Sequence, residues 1–374
     1  MTSLAPLPDS KSQESRPGGG DRMFDLCVAC CRWPADGAAN ANVRALADGA
    51  DWDMLLQLAR RHRVEGLVSR ALQAAGVAPS PDVAASFASS AQQIARQNLM
   101  MAGECLALNR QFGEAGIPLL FIKGLTLSVL VYGDLAAKKN WDIDLLILPK
   151  DLEVAAALLE ARGYRLAIPA DSRDRLAEWH RRSKESVWNH PNGRFHVELH
   201  TELTDSPFHL TGIDANGPVQ QVDIGGGRAL PTFSTEALFA YLPAHGASSG
   251  WFRLKWIADF AALLASADSA ELSRLHEQSQ QLGSGRAADL ALLLADRLFG
   301  LPLADDLRAR LGSDPVVRRM VDRSLGLMSG RTALAEVTDV RFGTVPIHRI
   351  QFAMRPGWRY KAGLLRSKLR IRFF

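Results

Sequence analysis

The sequence is poor in cysteine, with four among 374 residues, too few to read as the disulfide framework of a small secreted domain. Three of them, Cys27, Cys30 and Cys31, crowd into "CVACCRW", and Cys105 stands alone. A C-x-x-C pair invites zinc, but no second pair with suitable spacing follows. The run "MFDLCVACCRW" therefore reads as the buried side of an opening helix, and its reduced thiols fit a cytoplasmic protein. A membrane-length apolar run is also missing, because Lys123 breaks the longest candidate. The opening "MTSLAPLPDSKSQESRPGGGD" lacks the apolar stretch of a signal peptide, so residues 1–22 are expected to form a disordered leader. Acid is absent from Arg341 onward, where Arg349, Arg355, Arg359, Lys361, Arg366, Lys368, Arg370 and Arg372 go unanswered. Such a basic tail, 341–374, suits a polyanion, an anionic membrane surface or an acidic face of its own protein. The overall charge of +4 is mild and does not by itself indicate nucleic acid.

What is present is ordinary globular material, 47% hydrophobic and 22% charged, long enough for two or three domains or subdomains. Residues 23–115 carry helical periodicity, as in "WDMLLQLARRHRVEGLVSRAL", with a longer helix expected over 91–115 and ended by Gly116 and Pro118. The texture changes over 116–232. "PLLFIKG" reads as a strand, "LTLSVLVYG" as a short helix and "WDIDLLILP" as the next strand. "DLEVAAALLEARGY" reads as a helix capped by Asp151 and stopped at Gly163, and "YRLAI", "SVWNHP" and "RFHVELH" offer further strands. "VQQVDIGGGRALP" is expected to close as a hairpin turning at Gly225–Gly227. Residues 233–340 return to helix, with Ser234 as an N-cap and Glu236 in the first turn.

Three pieces of the α/β segment carry chemistry. Strand side chains alternate faces, so Ile143, Leu145 and Ile147 can enter a core while Asp142 and Asp144 share the other face. Two carboxylates held together cost free energy unless a cation or proton lies between them, and hard cations such as Mg²⁺ prefer carboxylate oxygens. In "FHVELH", Val197 and Leu199 face inward and His196, Glu198 and His200 outward, so Glu198 offers a third carboxylate for a clamp on a phosphoryl group. His200 is a candidate proton carrier or metal neighbour, and the H-x-E-x-H spacing also admits zinc. The oxygen donors favour Mg²⁺. In "FIKGLTL" a strand ends at Lys123 and Gly124 where a helix starts, a place where backbone N–H groups and a lysine can meet a phosphate. Against this stands the bland reading of edge-strand acids and a solvated lysine.

The string "KGLTLSVLVYGDLAAKKNWDIDLLI", followed by "VELHTEL" and "AHGASSGWFRLKWIADFAALL", resembles the uncharacterised nucleotidyltransferase family of the DNA polymerase β superfold. The resemblance implies an α+β fold whose α/β core, a small mixed sheet, is flanked by N-terminal and C-terminal helical regions. It implies that Lys123 and Gly124 contact a nucleoside triphosphate, that Asp142 and Asp144 bind Mg²⁺ or Mn²⁺, and that Glu198 is the third carboxylate. Lys138 stands where relatives tend to carry arginine, and supplies charge to the nucleotide without a bidentate fork. The expected reaction moves a nucleoside monophosphate from an NTP to an acceptor, whether small molecule, peptide or protein, with release of pyrophosphate. His245, Lys255 and Asp259 fall in the last matching segment, where "WFRLKWIADF" reads mainly as a helix packing Trp256 and Phe260. Two rivals remain open: a non-catalytic partner protein on the same fold, and an enzyme that grips RNA with its basic tail.

Overall fold

The computed structural model of the chain describes residues 19–170, 173–206, 208–329, 336, 339 and 342–372. Five helices come first: α1 (Gly19–Cys30), α2 (Gly37–Ala47), α3 (Trp52–His62), α4 (Glu65–Ala74) and α5 (Pro81–Glu114). The expected leader is described only from Gly19, where α1 already begins, and residues 1–18 lie outside the described residues. Helix α3 starts where Asp51 accepts the Met54 N–H at 2.9 Å and stops where Arg63 turns left-handed. Helix α5 begins ten residues before the expected Ala91. Pro81 lies in the first helical turn, where its missing N–H removes no bond.

The α/β segment follows as β1 (Leu120–Phe121), α6 (Leu125–Tyr132), β2 (Ile143–Leu146), α7 (Leu152–Ala161), β3 (Arg165–Ile168), α8 (Leu176–His180), β4 (Glu185–Asn189) and β5 (His196–His200). Asp151 does not cap α7 with its side chain. Pro149–Asp151 wind into a 3₁₀ turn, and Asp151 has helical φ/ψ instead of the extended geometry of an N-cap. The five strands form one mixed sheet in the order β1-β2-β5-β4-β3, with β2 and β5 parallel and the other pairs antiparallel. The acid-bearing strand β2 is thus internal, which removes the edge-strand explanation of Asp144. A separate hairpin, β6 (Val219–Asp223) and β7 (Ala229–Phe233), turns through Gly225–Gly227 as expected, and Thr232 Oγ1 donates to the Phe121 carbonyl of β1 at 2.7 Å.

The remaining helices are α9 (Thr235–Ser248), α10 (Leu254–Leu263), α11 (Ser269–Gln281), α12 (Arg286–Phe299), α13 (Asp305–Ser313), α14 (Pro315–Ser329), α15 (Val345–Ala353) and α16 (Trp358–Arg372). Ser234 caps α9 by accepting the Ala237 N–H at 3.3 Å. The basic stretch is no loose appendage where it is described: Ile347, Ile350, Met354, Tyr360 and Leu364 are buried in the helical core, and Tyr360 Oη donates to the Gln351 carbonyl at 2.8 Å. Arg341, Phe373 and Phe374 lie outside the described residues.

Two hydrophobic clusters result. One joins the N-terminal helices to α9–α16, and the other fills the sheet face covered by α5 and α7, where Ile143, Leu145, Val197, Leu199 and Trp188 meet Leu108, Phe112 and Leu159. Helix α5 enters both, with Val83 and Phe87 in the first and Met101, Cys105 and Leu108 in the second. All four cysteines are free and buried. Burial pushes the Cys30 and Cys105 thiols far above their usual range. The sheet face turned away from α5 is the one left for polar work.

Candidate active site

Register sets the chemistry of that face. Asp144 pairs with Glu198 across the parallel β2–β5 ladder, and the antiparallel β4 places Glu185 opposite His200. Because Ile143 and Leu145 bury inward, Asp144 projects to the other face beside Glu198 and His200. One donor atom from each of Asp144, Glu198 and His200 lies within 4.8 Å of the others, and no other such group of three is found among the described residues. Asp142 sits one step nearer solvent. The expected carboxylates thus converge, with His200 added, whereas His196 is exposed and bonded to Asn189 Oδ1 at 2.7 Å.

Lys123 occupies the middle. Its Nζ lies 2.5 Å from Asp144 Oδ1, 3.8 Å from Asp142 Oδ2 and 3.9 Å from Glu198 Oε2. Burial opposes its charge, but the Asp144, Asp142 and Glu198 carboxylates outweigh it and hold the ammonium pKa well above the ordinary value. Glu198 is depressed overall: burial raises it, while the His200 contact and Lys123 lower it further. His200 is raised: burial and Lys184 pull it down, and Asp144, Glu198 and Glu185 more than compensate.

The arrangement fits a cation larger in charge than one lysine. Asp144 is 2% exposed and His200 1%, and neither Asp144 oxygen nor either His200 ring nitrogen has a hydrogen-bond partner of good geometry. Two carboxylates and an imidazole, from Asp144, Glu198 and His200, together offer the donor set of a divalent ion.

The turn preceding α6 is the second element. Gly124 adopts φ +76°, ψ −122°, a conformation essentially closed to residues with a Cβ, and it starts the helix without a side-chain cap or an acid in the first turn. The first N–H groups of α6 are therefore open to an anion beside Lys123. The loop from α6 to β2 is fixed from behind by α5. Asn98 Nδ2 donates to the carbonyls of Leu135 at 2.5 Å and Lys138 at 2.8 Å, and Gln97 Nε2 donates to that of Asn140 at 3.0 Å. Gly66 of α4 allows the approach: a Cβ there would lie 2.4 Å from the Ala137 carbonyl oxygen.

Lys138 is expected at the nucleotide, yet its ammonium is buried in an ion pair with Asp259 of α10, which also accepts from Tyr132 Oη at 3.0 Å. Asp259 is thus occupied in joining the loop to the helical part. Lys138 and Asp259 still border the cleft, and Lys255 lines it too, half-buried beside Trp256, where burial with Lys138, Arg63 and Lys123 nearby lowers its pKa to about 7.

Sequence reading missed Glu185, although "KESVWN" alternates Glu185 and Val187 against the core residues Ser186 and Trp188. It also missed Arg63 and Trp141, whose partnership at 5.4 Å unites residues far apart in the chain. Glu185, Arg63 and Trp141 line one cleft of about 370 Å³ together with Lys123, Asp142, Glu198, Met354, Tyr360 and Leu364.

A carboxylate-rich sheet face beside a glycine turn and helix N-terminus is the arrangement of a nucleotidyltransferase fold. The sequence model of the uncharacterised nucleotidyltransferase family matches residues 48–300, well over half of the chain, and the protein belongs to that family. A search of curated proteins gives no match. No described helix is long and apolar enough to cross a membrane.

Proposed function

We propose that the protein transfers a nucleoside monophosphate from an NTP to an acceptor, releases pyrophosphate, and uses Mg²⁺ to do so. The observation that carries this reading is the convergence of Asp142, Asp144 and Glu198 on one point beside an uncapped helix N-terminus. Asp144 and Glu198, with Asp142 at the mouth, would hold the ion, which supplies charge neutralisation at the phosphoryl group. His200, 3.4 Å from Asp144, 3.7 Å from Glu198 and 3.3 Å from Glu185, would complete the donor set around the ion. Lys123 rests among the carboxylates and, when a cation takes its place there, is free to meet the phosphates bound at the Gly124 turn. Lys255 and Arg63 add positive charge along the cleft. Glu198 would also lower the pKa of the acceptor nucleophile through the ion it helps to hold.

The position of Lys123 favours a second reading. An ammonium 2.5 Å from Asp144 already neutralises the cluster, as it would in a partner protein that keeps the fold without catalysis. Calorimetry with non-hydrolysable NTP analogues, with and without Mg²⁺, decides between them. Metal-dependent binding that the D142N/D144N double variant loses is the outcome expected of the enzyme. Absence of binding by folded wild type gives the site to the second reading.

A further inference from the structure

The C-terminal helix has a face that the cleft does not use. Tyr360 and Leu364, four residues apart, are buried and line the cleft wall. Gly363 lies against Phe208, where a Cβ would come within 3.1 Å of the ring. Helix α16 is thus laid flat along the protein body. On its outer side Trp358 is 74% exposed and Leu365 50%. Seven residues separate them, so they share one helical stripe. Arg359 and Arg366 flank that stripe on one side and Lys361 on the other, at the same helical spacing. Among the described residues none of these three cations, nor Arg349 or Arg355, takes part in an ion pair with a carboxylate.

We propose that this face of α16 docks on an anionic lipid bilayer. An apolar stripe bordered by unneutralised cations on a helix lying in the surface is the geometry of an interfacial helix. Exposed tryptophan and leucine find no benefit in water and a substantial one at the headgroup boundary, while lysine and arginine gain from the negative surface potential. A surface that read only nucleic-acid phosphates would need the cations but not the apolar pair between them. The docking is independent of the transfer chemistry. It would set the cleft, whose wall is the opposite face of the same helix, about one helix diameter from the membrane.

The test is co-sedimentation of the full chain with vesicles of phosphatidylcholine alone or with about 30 mol% phosphatidylserine, at low and high salt. Wild type is expected on the anionic vesicles only, with binding weakened by salt. The W358S/L365S variant and the R359Q/K361Q/R366Q variant are each expected to bind at least ~10-fold more weakly. Unchanged melting temperatures of both variants separate lost docking from lost fold, since every substituted side chain lies outside the buried face. Failure of folded wild type to bind anionic vesicles overturns the proposal, as does binding that both variants retain. So does binding to single-stranded RNA in place of vesicles that W358S/L365S leaves intact, which would assign the face to nucleic acid.

Discussion

Replacing Lys123 with methionine separates the charge of this side chain from its bulk. Its ammonium is within 4 Å of three carboxylates, at 2.5, 3.8 and 3.9 Å. A unit-charge pair near 4 Å is worth about 4 kcal/mol at the effective dielectric that suits protein sites, and desolvation of the buried lysine cancels much of that. What remains after truncating one partner of a buried ion pair is a loss of about 3 kcal/mol, because the buried Asp144 loses its nearest cation and keeps only the His200 contact at 3.4 Å. For a chain this long that corresponds to a fall of about 4 °C in melting temperature when measured in EDTA. A divalent ion then meets the carboxylates without having to displace an ammonium. At one hundred times its dissociation constant it returns about 2.7 kcal/mol, so Mg²⁺ should restore most of the loss in K123M. Wild type should gain much less, and the variant should bind the ion more tightly. Scanning fluorimetry across a Mg²⁺ titration reads both effects. An unchanged melting temperature in EDTA, or a fall that Mg²⁺ leaves untouched, would refute the idea that lysine and metal compete for one place.

Lys255 has its pKa lowered to about 7, so it is charged below that pH and neutral above it. NTP affinity should decline as pH rises through 7, and K255M should flatten the profile; a parallel decline in the variant would clear Lys255 of any role. Because its folded pKa lies below its unfolded one, the same lysine makes the protein gain stability from about pH 7 upward. Gly66→Ala adds about 1 kcal/mol of helix propensity, but a Cβ 2.4 Å from a backbone oxygen costs more, about 1–3 kcal/mol. The net change should be destabilising and should weaken Mg²⁺ binding by shifting the loop that carries Asp142, whereas a stabilised G66A would show the approach to be loose. His62, His180 and His209 are kept neutral by burial, with pKa values lowered to about 3, 4 and 4. The unfolded chain takes up protons that the native one refuses, so stability should be lost as pH falls from 6.5 toward those values. Each contributes about 1.4 kcal/mol per pH unit, and a flat urea midpoint between pH 6.5 and 5 would contradict this.

The strands of the site are legible in sequence because alternation is a local signal: "DIDLL" and "HVELH" each announce which side chains face away from the core. The Lys-Gly turn is legible for the same reason, since a glycine between strand and helix is a local conformational demand. Roles set by distant partners are not. Nothing near Lys138 indicates that Asp259 will claim it, and nothing near Glu185 indicates that an antiparallel neighbour will bring it to His200. Lys123 could be assigned to phosphates but not to the centre of the carboxylates, which depends on the register of β1 against β2. The start of α5 is obscured by a proline whose effect reverses with its position in the helix.

Helix α5 has a consequence for any attempt to reduce the protein to its working part. At 34 residues it spans about 50 Å, contributes to both hydrophobic clusters, and grips the loop before β2 from its middle with Gln97 and Asn98. A fragment containing only the sheet, residues 116–232, would leave Leu145, Val197 and Trp188 facing water and free the segment that aims Asp142. The strands that bear the acids and the helix that gives them their geometry therefore have to be expressed together. Truncation from the N-terminal side can be taken no further than the helices on which α5 itself rests.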